Sequence, residues 1–255
     1  MNNTLDIYLI RHTQPLIELG TCYGQLDCDV TADYVKQFEK ISTYFKNKKI
    51  NAIYSSPLLR CAKLAEDIAS LHPPLSVIYK EDLKEINFGE WEGVKWDDIP
   101  CEKIDEWNSN RLDFQFPNGE TPAFFHARVT RSLCELTNEN QDNNTERKIV
   151  VVAHAGVIRS ILCHYLHIPL AHSTQLSIDY ASVSKISLMQ NFSKCHFFNS
   201  MLGGFYFLIS REGCCVIYRM YFSSVAILSH YLLFKVSFLI STLFLPSSTI
   251  QKYLY

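Results

Sequence analysis

Two histidines end two apolar runs that lie far apart in the chain: Ile7-Tyr8-Leu9-Ile10-Arg11-His12-Thr13 and Ile149-Val150-Val151-Val152-Ala153-His154-Ala155-Gly156. Each run reads as a buried strand that stops at an imidazole, and open α/β sheets bind ligands at the carboxyl ends of their strands. One such histidine is most often structural, but two in the same setting point to catalysis. Arg60 belongs to the same pattern, because Asn51 to Tyr54 reads as a short strand and Ser56-Pro57 opens a helix with Arg60 in its first turn. Glu85 stands just before the glycine-punctuated aromatic loop Phe88-Gly89-Glu90-Trp91-Glu92-Gly93. A guanidinium offers a planar fork to phosphate oxygens and keeps its charge. A neutral imidazole can attack phosphorus when its other nitrogen is held by a hydrogen bond. A phosphate monoester is a dianion whose transfer is stabilised mostly by positioned cations. Arg11 and Arg60 are therefore expected to bind phosphate, His12 to be the nucleophile, and His154 to be a second, cationic imidazole on the transferring group.

The elements that must position these groups alternate. Strands are expected at 5–10, 51–54, 76–79, a run ending at Ala153, 182–188 and 194–199, and helices at 31–46, 57–71, 95–109, 120–138 and 155–167. Such alternation predicts an α/β fold, a three-layer α/β/α sandwich with a mostly parallel central sheet. Segment 80–125 reads as a helical cap insertion over the site.

With these motifs in place the chain resembles the histidine phosphatase superfamily, the phosphoglycerate-mutase-like proteins. The likeness rests on Arg11-His12-Thr13, Ser56-Pro57 with Arg60, Glu85 with Gly89, and His154-Ala155-Gly156, in the family's order across about residues 5 to 199. Within the superfamily it is most similar to α-ribazole phosphatases, through Ile10 to Pro15, Gly20 to Asp27, Phe88 to Gly93 and Phe116-Pro117-Asn118-Gly119-Glu120. The resemblance implies a phosphomonoesterase with a phosphohistidine intermediate, no cofactor and no metal, and α-ribazole 5′-phosphate of cobalamin nucleotide-loop assembly as substrate. A sugar phosphate or phosphoglycerate is the alternative. The resemblance makes Glu85 the proton donor, with Glu90 and Glu92 as competitors on the same loop, and implies substrate contacts from Tyr23, Gly24, Gln25 and Ala155. Trp91 and Trp96 either stack on a ring of the leaving group or pack the cap. Thr13 stands where the family commonly has glycine, Gln14-Pro15 replaces Glu-Thr, and Glu18 lies near a common asparagine, all of which weaken a mutase reading.

The 255 residues suffice for one sizeable core at 47% hydrophobic content. A net charge of −2 gives no pull toward nucleic acid, so attraction for a small phosphate monoester must be local. The amino terminus lacks a signal-peptide pattern, and nine unpatterned cysteines suit a reducing cytoplasm. His164, His167 and His172 lack acidic or thiol partners at metal-ligand spacing. Residues 1–199 form the expected catalytic domain and 200–255 a hydrophobic extension outside the resemblance. The run 221–245 is long enough to span a bilayer, but His230 and Lys235 are costly there, and an accidental extension is the favoured reading. A membrane-docked, inactive scaffold is the alternative of another class.

Overall fold

The computed structural model describes residues 4–140, 146–189, 192–202, 204–211 and 214–221, with side chains described as far as Leu202. The chain divides between Leu202 and Gly203 into two units.

In the first unit, a six-stranded sheet has the order β3-β2-β4-β1-β5-β6. Its strands are β1 (Thr4–Arg11), β2 (Ala52–Ser55), β3 (Val77–Tyr79), β4 (Arg147–Ala153), β5 (Val183–Met189) and β6 (Phe192–Ser200). The first four are mutually parallel, while β5 runs antiparallel to β1 and β6 antiparallel to β5. Met189 and Phe192 stand too close in sequence for a crossover, which requires a dozen or more residues, so β5 and β6 pair as a hairpin.

Strand side chains alternate between faces, and here both faces are covered. Leu5, Ile7, Leu9, Ile149 and Val151 pack with Val129 and Leu133 of α4 (Pro122–Asn140) and Val157 and Ile161 of α5 (Ala155–Leu166). Tyr8, Ile10, Ile53, Val150 and Val152 face Ile41 and Phe45 of α1 (Tyr34–Phe45), and Leu64 and Ile68 of α2 (Leu59–Ser70). The apolar runs of the sequence are thus strands buried on both sides, in the expected three layers.

The cap differs from expectation in one element. The helix expected over 95–109 is broken at Pro100 into a single turn, Trp96–Asp98, and α3 (Cys101–Ser109). Proline disfavours a helical residue before it, and Ile99 is extended, with ψ 130°. The cap's core is aromatic: the Trp91 ring lies 5.0 Å from Phe116, Phe88 lies 4.8 Å from Phe116, and Trp96 stacks on Trp107.

In the second unit, β7 (Gly204–Arg211) and β8 (Cys214–Tyr221) pair antiparallel. The apolar run expected at 221–245 lies outside the described residues beyond Tyr221. Among the described residues no helix is long and apolar enough to cross a membrane.

Candidate active site

The register of β1 on β4 places Arg11 opposite Ala153, so the two strands end together. The His12 N–H donates to the Ala153 carbonyl at 3.0 Å. The imidazoles of His12 and His154 thereby lie side by side, ring centroids 5.1 Å apart, both fully buried. His12 Nδ1 is 2.7 Å from the Thr13 carbonyl oxygen. A carbonyl only accepts, so Nδ1 carries the proton and Nε2 keeps a lone pair.

Arg60 is completely buried at the start of α2. It donates through Nη1 to Leu26 O and through Nη2 to Gly24 O, each at 2.7 Å. Arg11 donates through Nη1 to Ile178 O at 2.5 Å and through Nη2 to the Tyr23 hydroxyl at 3.3 Å, and its guanidinium lies 3.8 Å from the centre of the Tyr180 ring. Around His12 three buried polar atoms have no partner: Arg11 Nε, Arg60 Nε and the Thr13 hydroxyl. Buried polar groups are nearly always satisfied, so this clustering marks a place for an oxygen-rich ligand.

Burial first, then the neighbouring charge of Arg60, pushes both histidines well below the ordinary imidazole pKa, and Arg11 adds to both effects. In the ligand-free site this favours a neutral His154, because a second proton would sit out of water beside two guanidiniums; the cationic form expected from the sequence belongs to the complex with a phosphate dianion. Its Nε2 lies 2.9 Å from Ser56 Oγ and 3.5 Å from Cys61 Sγ.

Glu85 meets the histidines through the N-terminus of α5. Its Oε2 accepts from Gly156 N–H at 3.0 Å and its Oε1 from Ile86 N–H at 3.1 Å. A Cβ at Gly156 would lie 2.3 Å from Glu85 Oε1, which explains the glycine there. The Glu85 loop is held from behind by Arg128, which donates to the carbonyls of Asp82, Lys84 and Glu85 and makes a two-point pair with Glu120 at 2.6 and 2.8 Å. Arg128 was not anticipated; its only trace in the sequence was Glu120 at the end of the Phe116 to Glu120 motif.

The competing glutamates have other partners. Glu92 Oε1 accepts from the N–H groups of Gln25 (2.9 Å) and Phe88 (3.0 Å), tying two loops together. Glu90 is exposed and accepts from Asn118. Glu85 alone of the three lines a cleft of about 390 Å³ that also takes in Arg11, Tyr23, Gly24, Phe88 and Trp96.

The expected substrate contacts divide. Tyr23 and Gly24 reach the cleft, whereas Gln25 donates through Nε2 to Glu85 O at 2.9 Å and so braces the loop. Ala155 opens α5 beside Gly156 and does not line the cleft. Trp91 is buried in the cap core and Trp96 forms the cleft wall. Two lining residues were missed, Tyr180 and Arg159. Tyr180 lies over His12, ring centroids 5.6 Å apart, and its hydroxyl is 3.1 Å from that of Tyr23. Arg159, on α5, donates through Nε to Leu176 O at 2.8 Å. Burial pulls its pKa below the usual arginine value, with Glu85 opposing. Among the described residues no group of three or more His, Cys, Asp or Glu side chains stands together as a metal ion would require.

A family model for the histidine phosphatase superfamily (branch 1) matches residues 7–200. The chain is 30% identical to a metal-independent phosphoserine phosphatase of Arabidopsis thaliana, over 72% of this chain and 76% of that one. It is 25% identical to the adenosylcobalamin/alpha-ribazole phosphatase of Escherichia coli, over 77% and 96%. The fold is shared with the alpha-ribazole phosphatase of Shigella flexneri, with a TM-score of 0.67 at 24% identity, covering 77% of this chain and 96% of that one.

Proposed function

The chain belongs to the histidine phosphatase superfamily, branch 1, and on that premise we propose that it is a phosphomonoesterase working through a phosphohistidine at His12. The observation that carries this reading is the His12 tautomer: Nδ1–H is fixed on Thr13 O, and Nε2 is free among the unpartnered polar atoms of Arg11, Arg60 and Thr13.

In this mechanism the Nε2 lone pair attacks phosphorus and the ester P–O bond breaks as the N–P bond forms. The leaving oxygen takes the proton of the Glu85 carboxyl. Glu85, now ionised, accepts a proton from water, whose oxygen displaces His12 from phosphorus and releases phosphate. Arg11 and Arg60 stabilise the equatorial oxygens throughout. Once the substrate dianion offsets the guanidinium field, His154 takes a proton and becomes a further donor to the phosphoryl group. Every step uses side chains of this chain.

Two leaving groups have support. The α-ribazole of α-ribazole 5′-phosphate is supported by the aromatic wall of Phe88 and Trp96 and by the Escherichia coli relative. A phosphorylated hydroxy acid is supported by the Arabidopsis relative, a phosphoserine phosphatase. Unpaired thiols at the described cysteines suit the cytoplasmic setting. The test is phosphate release in EDTA from α-ribazole 5′-phosphate, 3-phosphoglycerate and p-nitrophenyl phosphate, by the chain and by His12→Ala. Turnover that is lost in His12→Ala is expected; turnover by neither protein on any ester overturns the reading in favour of an inactive scaffold.

A further inference from the structure

Arg159 is a half-buried cation lining the cleft; among the described residues it makes no ion pair, and Glu85 is the carboxylate whose charge acts on it. It sits on α5 one turn beyond Gly156, the residue whose N–H holds Glu85, so it shares a helix face with the residue that positions the proton donor. Its Nε–H is anchored on Leu176 O, which fixes the plane of the guanidinium at the cleft wall. No carboxylate among the described residues pairs with it.

The charges of the cleft sharpen the question. Glu18, another lining residue, is paired with Lys95 at 2.5 Å. Arg11 and Arg60 face the phosphate dianion beside His12. Glu85 must carry a proton to serve as donor, so it supplies no charge to Arg159 in the productive complex. One positive charge is left over where the leaving group sits, and a cation taken out of water is costly unless it is paired.

Resting on the phosphomonoesterase reading, the geometry points to Arg159 as the residue that selects the substrate class, by binding a carboxylate on the leaving group. The preferred substrate is then a phosphorylated hydroxy acid or hydroxy amino acid rather than the ester of a neutral nucleoside such as α-ribazole. A carboxylate matches the planar fork of a guanidinium and accepts two parallel hydrogen bonds.

Matched esters that differ only by that carboxylate test this: O-phosphoserine against O-phosphoethanolamine, and 3-phosphoglycerate against glycerol 3-phosphate, with p-nitrophenyl phosphate as a report on phosphatase chemistry alone. The full chain should prefer each carboxylate-bearing ester by about 10- to 100-fold in kcat/KM, the range of a hydrogen bond to a charged group. Arg159→Met should erase the preference, mainly by raising KM, while turnover of phosphoethanolamine and p-nitrophenyl phosphate stays within about threefold. Arg159→Lys, which keeps the charge and loses the fork, should restore part of it. Equal turnover of matched esters by the unaltered chain, or an equal loss on all esters in Arg159→Met, overturns the assignment while leaving the phosphatase reading intact. If none of the esters is hydrolysed, the phosphatase reading fails by itself. Calorimetry of phosphoserine against phosphoethanolamine on His12→Ala then decides for Arg159, equal affinities counting against it.

Discussion

The floor of the site, the buried pair His12 and His154 that lies beneath the residues lining the cleft, rests on strand ends, whereas the cap rests on side chains brought together from distant parts of the sequence. His12 and His154 follow directly on two strands in register, and the N–H of His12 is bonded to the carbonyl that ends β4. Their positions need no cap residue. Glu85 instead depends on Arg128 and Glu120 behind its loop and on a cap whose Trp91, Phe114 and Phe116 rings interlock. A floor set by backbone register holds the reacting atoms to a fixed geometry. A cap set by side-chain packing can change its cleft-facing residues without disturbing that geometry, so the chemistry is built into the floor and substrate choice into the cap.

The largest effect separates the two halves. His12→Ala should remove at least about 10⁴-fold of kcat, because it deletes the nucleophile, while leaving the melting temperature almost unchanged. Full activity in that variant, measured by phosphate release, would place the chemistry elsewhere.

Arg128→Met should do the reverse to the fold. It leaves Glu120, 13% exposed, without its partner and three carbonyls without their donor. Breaking a buried pair from one side costs about 3–5 kcal/mol. Denaturant melts should show that loss, with kcat falling as Glu85 drifts. A melt unchanged from the parent chain would show that the cap does not depend on this clamp.

Gly156→Ala probes the seam between floor and cap. The added methyl would meet Glu85 Oε1 at 2.3 Å and push the carboxyl from its seat on α5. Proton transfer is sensitive to such misplacement, so kcat should fall about 10- to 100-fold with KM little changed. A KM effect alone would place Glu85 in binding rather than in proton transfer.

How much of this was legible in the sequence follows from the same division. The floor was readable because its residues are contiguous: an apolar run buried on both faces cannot be mistaken for a surface strand, and a histidine at its end is placed by the run itself. Glu85 was readable only by motif position, and it took three dimensions to show Glu92 tied to two backbone N–H groups and Glu90 facing solvent. Arg128 and Arg159 were illegible because an arginine on an amphipathic helix looks like a solvated face until the helix is docked. Tyr180 lies in a loop that no periodicity addresses. The break at Pro100 was visible as a proline but was overridden by the helical pattern on either side.

Protonation distinguishes floor from cap with a smaller but specific effect. His12 and His154 are held neutral in the fold, whereas in the unfolded chain they titrate near the ordinary value of about 6.5. Above that pH neither state binds the proton and the two histidines cost nothing. Below it the unfolded chain gains two protons that the native chain refuses, so stability falls as pH drops from about 6.5 toward the depressed native values, and then levels off. Each histidine contributes a slope of up to about 1.4 kcal/mol per pH unit. His154→Asn, which keeps a polar group against Ser56 but cannot titrate, should remove about half of the slope due to this pair between pH 6.5 and 5. A change at the cap such as Trp96→Phe should leave the slope as it is. An identical slope in His154→Asn and the parent chain would mean that His154 is charged in the fold, and the neutral floor would have to be abandoned.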